Sequence, residues 1–111
     1  MIDPLQIVVI SDDAEVFAGE SAVLTCVTSR HDDGVITWMH NEQNLTNSTT
    51  ITITEASLSI GGLNLTQSLL QICSVNLANA GEYFCIFSDG HLSVNYSMQL
   101  AVVGKWWATM S

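Results

Sequence analysis

The sequence predicts an all-β domain built as a sandwich or barrel. β-Branched and aromatic residues alternate with polar ones in short runs, and turn residues interrupt those runs about every ten positions. No segment keeps helical apolar spacing long enough to compete. With 111 residues the chain can bury one core but not two independent ones, and a 48% hydrophobic content places it among globular sequences. The domain is expected over 1–104, with 105–111 as a tail or interdomain linker.

Taken in order, the strand runs are "LQIVVI" (Leu5 to Ile10), "AEVF", "SAVLTCVT" (Ser21 to Thr28), "VITWMH" (Val35 to His40), "TTITIT" (Thr49 to Thr54), "SLLQICSV" (Ser68 to Val75), "EYFCIF" (Glu82 to Phe87) and "HLSVNYSMQLAVV". "SDDAE", "RHDDG", "SIGG", "NLANAG" and "SDGH" separate them, and Asp89-Gly90 between two alternating runs is the strongest hairpin signal. Period-2 alternation assigns faces: Ala22, Leu24 and Cys26 share one, as do Ile36 with Trp38, and Tyr83 with Cys85 and Phe87. In the last run Leu92, Val94, Tyr96, Met98, Leu100 and Val102 alternate with polar residues, so Asn95 points outward.

Charge excludes several function classes. Eleven acids (Asp+Glu 11) face Arg30 and Lys105 alone, giving a formal net charge of -9. Two cations cannot form the basic patch that nucleic acid or an anionic membrane requires. No apolar run reaches the ~18 residues of a membrane span, and none has the order of a signal peptide. Any membrane association is therefore expected through a larger parent chain.

Catalysis needs converging acids, bases or nucleophiles. His31, His40 and His91 lie in separate segments, and the acids gather as turn doublets, Asp12-Asp13 and Asp32-Asp33, read as solvated turns. No metal site, cofactor or small-molecule substrate is expected, and no enzymatic activity. N-x-[ST] triplets at Asn44, Asn47, Asn64 and Asn95 argue for an oxidising secretory compartment. Of the three cysteines, both Cys73 and Cys85 are possible partners for the upstream Cys26.

Cys26, then Trp38, then Tyr83 just ahead of Cys85 form an arrangement that resembles an immunoglobulin domain. "VFAGESAVLTC" resembles the family's approach to its first cysteine. "LLQICSVNLANAGEYFC" carries Leu70, Ile72, Val75, Gly81, Tyr83 and Cys85 at the family's spacings, and "MQLAVV" resembles its closing strand. The resemblance implies a two-sheet antiparallel β-sandwich closed by an inter-sheet Cys26–Cys85 disulfide, with Trp38 packed on it and Tyr83 pinning a corner. Parity agrees, because Cys26 and Cys85 fall on inward faces while Cys73 follows inward Ile72 and is left unpaired, pointing outward from its strand.

The split first strand around "SDDAE", and room for only a short extra strand after Trp38, look like the intermediate (I-set) type. Where the family usually carries an aspartate before its Gly-x-Tyr-x-Cys run, this chain has Asn79, with no basic residue between Arg30 and Lys105 to pair with one. That corner is expected to be tied by neutral hydrogen bonds.

The resemblance also makes the Trp38 and Cys85 strands neighbours, so that Met39, Phe84 and Ile86 form an outward apolar patch. A protein partner or a second copy of the domain would use it as a contact face; alternatively, the tail with Trp106-Trp107 or a glycan at Asn95 would cover it. The function implied is a non-catalytic recognition module of an extracellular or cell-surface adhesion protein or receptor. The alternatives are a ligand-binding ectodomain module of a signalling receptor, such as a receptor tyrosine kinase, and a structural spacer.

Overall fold

The computed structural model describes residues 7–29, 34–90 and 93–104. Among the described residues nine strands form two sheets. They are β1 (Ile7–Ile10), β2 (Ala14–Phe17), β3 (Ala22–Ser29), β4 (Val35–His40), β5 (Gln43–Asn44), β6 (Ile51–Ile60), β7 (Leu63–Ile72), β8 (Gly81–Ser88) and β9 (Ser93–Val103). One sheet has the order β1-β3-β7-β6 and the other β2-β9-β8-β4-β5.

The first strand is divided between the layers. β1 pairs antiparallel with β3, and after the break at Ser11–Asp13 the chain crosses so that β2 runs parallel to β9. The expected two-sheet antiparallel sandwich is observed, with β2 and β9 as its one parallel pair among the described residues. Asp13 is also more than a solvated turn residue, since its Oδ1 accepts the Gln99 N–H at 2.9 Å and fastens the crossing to β9.

The largest correction concerns β6 and β7. "TTITIT" and "SLLQICSV" mark only parts of a hairpin whose arms are Ile51–Ile60 and Leu63–Ile72, joined with Ile60 opposite Leu63. Gly61 and Gly62 form its two-residue turn with φ of 57° and 83°, a left-handed pair that glycine adopts without Cβ strain. The same boundary places Cys73 just beyond the end of β7, where its N–H donates to the Thr50 carbonyl.

The core lies between the sheets: Ala22, Leu24, Cys26, Leu70 and Ile72 from one, Trp38, Tyr83, Cys85, Met98 and Leu100 from the other, with Val75 at one end. The parity assignment holds for β3, β4, β8 and β9, where Tyr96 lies opposite inward Cys85 but is not covered. Tyr96 is 53% exposed, because β2 flanks β9 only from Leu100 to Val103 and leaves the preceding segment at the sheet margin.

Cys26 and Cys85 form a disulfide across the layers. With a separation of 59 residues it closes a loop worth ~4 kcal/mol on the chain-entropy model. Trp38 lies opposite Cys85 in the β4–β8 register and spans the layers, its indole N–H donating to Ser68 Oγ at 2.9 Å. Ser68 in turn lies opposite Cys26, so sulfur and indole cross the core side by side. A buried indole N–H without a partner costs roughly 1–3 kcal/mol, which makes Ser68 part of the framework.

Candidate functional site: the outer face of the five-stranded sheet

The site is supported from beneath by a fully bonded corner. Asn76 and Asn79 bracket a single 3-10 turn: Asn76 Oδ1 accepts from Ala78 N at 2.8 Å, and Asn79 Oδ1 accepts from Asn76 N at 2.7 Å. The Tyr83 hydroxyl donates to the Asn79 carbonyl at 2.5 Å. No ion pair enters these bonds, as the missing aspartate and its missing basic partner require.

His40, which the sequence leaves without a role, completes the corner. Its ring stacks on Tyr83 with centroids 4.0 Å apart, and Nε2 lies 3.0 Å from the Ala80 carbonyl. A carbonyl can only accept, so Nε2 carries the proton. Gly81 passes directly over this ring at φ 125°, where a Cβ would meet His40 Nε2 at 3.3 Å. Burial pushes the Tyr83 phenol up from 10.0 to about 12.

Above this corner, register places the outward residues in rows. Asn44 lies opposite Met39, Met39 opposite Phe84, and Phe84 opposite Ser97. The next row runs Thr37, Ile86, Asn95. Directly opposed residues in a sheet share a face, so Met39, Phe84 and Ile86 meet on the solvent side, each half-buried by its neighbours. Val35, 59% exposed and of the same parity in β4, extends the patch; its place in "VITWMH" was the available signal.

None of these outward residues is charged, in a chain whose net charge is -9. The two rows are thus electrically neutral, with an apolar centre at Met39, Phe84 and Ile86, and Glu82, exposed on the same face of β8 two positions before Phe84, stands at their margin.

The sequons fall in different settings. Asn44 and Asn95 are exposed on this outer face, and Asn64 is exposed on β7 of the other sheet. Asn47 lies in the β5–β6 connection, where its Oδ1 accepts the Ile53 N–H at 2.6 Å and closes part of the free edge of β6. Cys73 is a half-buried free thiol. His31, His91, Asp32-Asp33 and the tail with Trp106-Trp107 lie outside the described residues. Among the described residues no three His, Cys, Asp or Glu side chains gather as metal ligands.

This two-layer, single-disulfide frame defines an immunoglobulin-type sandwich, and the comparisons place the chain in that class. An immunoglobulin domain family model matches residues 6–88, and the chain belongs to that family. It is similar to mouse neogenin, 37% identical over 84 residues that make up 76% of this chain and 5% of that protein. It also resembles the Caenorhabditis elegans protein zig-3, a zwei Ig domain protein, 29% identical over 98 residues covering 85% of this chain and 39% of zig-3. The chain therefore spans well under half the length of these relatives. Among solved structures, an I-band fragment of titin superposes with a TM-score of 0.76 at 19% identity, covering 94% of this chain and 34% of that one. The titin M10–obscurin-like 1 immunoglobulin complex gives 0.73 at 19% identity, covering 91% of this chain and 95% of that one. At such identities the structures speak for the fold alone.

Proposed function

We propose that this domain is a non-catalytic recognition module of an extracellular or cell-surface protein of the intermediate immunoglobulin type, and that it binds a protein partner through the outer face of its five-stranded sheet. The observation that carries this reading is the uncharged strip centred on Met39, Phe84 and Ile86. Folding has no use for apolar residues on that side, and water gains nothing from them. A flat, uncharged strip is suited to a second flat surface, and a second copy of the chain meets an acid at its margin, at Glu82 beside Phe84, rather than within the Met39–Phe84–Ile86 centre.

The disulfide fits an oxidising compartment, and the similarity to neogenin and zig-3 supports a place within a longer protein. The module would act as a rigid platform, with the corner under Tyr83 and the Cys26–Cys85 bridge holding the strands in register while the face engages. Sedimentation of the wild-type domain and of Phe84→Asp across a concentration series tests it. A dimer lost in the variant supports self-recognition. A wild-type monomer at every concentration removes the homophilic form, and binding of the full ectodomain to its own cell type, unaffected by F84D, removes the face altogether.

A further inference from the structure

The register puts a sequon on each side of the neutral strip. Asn44 is one strand out from Met39, and Asn95 is one strand out from Ile86 on the opposite flank. Neighbouring strands are ~4.8 Å apart, so each asparagine borders the patch at van der Waals range of its side chains.

The other requirements of the two triplets are also met on the folded surface. Asn44 and its hydroxyl residue Thr46 are both exposed, and so are Asn95 and Ser97. Asn64 differs in two respects: it belongs to the other sheet, and its hydroxyl residue Thr66 is half-buried on the inward side of β7. Asn47 is committed to the edge of β6 through Ile53.

We propose that Asn44 and Asn95 carry N-linked glycans that gate the Met39–Phe84–Ile86 face, a regulation that rests on reading this face as the contact surface. With both glycans present, branched hydrophilic chains rooted on either flank stand in the path of a flat partner and lie over the apolar residues between them. Without them the strip is open. Only attachment at these two positions acts on this face, since Asn64 lies on the opposite sheet and Asn47 on the connection at its margin.

The test uses the full chain secreted from a eukaryotic host. Glycopeptide mass spectrometry reads occupancy at each triplet, and bis-ANS fluorescence reads access to the patch without requiring a partner. Occupied Asn44 and Asn95 are expected, with bis-ANS fluorescence rising several-fold in N44Q/N95Q and falling back when F84D is added. T46A/S97A, which keeps both asparagines and removes only the acceptor hydroxyls, is expected to match N44Q/N95Q. Unmodified Asn44 and Asn95, or equal fluorescence with and without their glycans, overturns the gate. An N44Q/N95Q protein that binds bis-ANS but whose sedimentation and cell binding do not respond to F84D overturns the contact reading and leaves the gate standing as a shield.

Discussion

On β4, Trp38 is 1% exposed beside the disulfide, while the adjoining Thr37 and Met39 are half-buried on the other side of the same strand. β8 repeats the contrast, with Tyr83, Cys85 and Phe87 inside and Phe84 and Ile86 outside. Both faces are rich in large apolar groups, yet the inner one pairs the polar atoms of its largest side chains within the protein, Trp38 with Ser68 and Tyr83 with Asn79, and leaves the buried Thr28 hydroxyl without a partner. Burial together with paired polar groups marks the face that holds the fold. Apolar surface bordered by exposed asparagines marks the proposed contact surface.

Substitutions of equal chemical size should therefore have unequal effects on the two faces. The largest effect is expected inside: Trp38→Ala should cost about 4 kcal/mol in chemical denaturation, from lost packing and the orphaned Ser68 hydroxyl. A paired replacement of Cys26 and Cys85 by alanine should cost a similar ~4 kcal/mol. If Trp38→Ala costs no more than a surface change, the division between the faces is wrong.

The corner comes next. Gly81→Ala should cost about 2 kcal/mol, because the backbone sits in a region that side chains avoid and the new methyl presses on His40. Combining it with His40→Ala should recover part of that loss, which isolates the contact from the backbone strain.

Tyr83→Phe should cost about 1 kcal/mol for the hydrogen bond to Asn79. It also sharpens the comparison through pH. The folded state holds the phenol neutral, with its titration raised from 10.0 to about 12. An unfolded chain loses that proton first, so the stabilisation is complete below pH 10 and disappears as pH rises towards 12. Alkaline unfolding curves should show this loss in the wild type and not in Tyr83→Phe, in the same pH interval.

The smallest effect on stability is expected outside. Phe84→Asp should shift the denaturation midpoint by less than about 1 kcal/mol while abolishing whatever association the face supports. A loss as large as that of Trp38→Ala would make Phe84 a core residue in practice and remove the basis for treating its face as a contact surface.

Much of this was legible in the residues. Cys26, Trp38, Tyr83 and Cys85 resembled a known frame, and simple alternation sorted inward from outward positions on β3, β4 and β8, because a strand's side chains must change face at every step. The Gly61-Gly62 turn is marked in the sequence too, flanked by Leu58 and Ile60 before it and Leu63 and Leu65 after it, but two glycines signal a break without fixing how far the paired arms extend. His40 was not legible. Its role depends on Tyr83 and Ala80, distant in the chain, and no local pattern announces a ring stacked across two strands.

The sequence by itself determined an all-β chain, one face per parity, a neutral corner around Asn79 and the positions of the sequons, since all of these follow from residue identity and a period of two. Only the tertiary structure decided which strands adjoin and in what register. Pairing is a long-range choice, and a slip of one residue would have turned every side chain to the other face. The observed register sets Asn44 beside Met39 and Asn95 beside Ile86. That placement turns scattered triplets and a few apolar residues into one bordered surface.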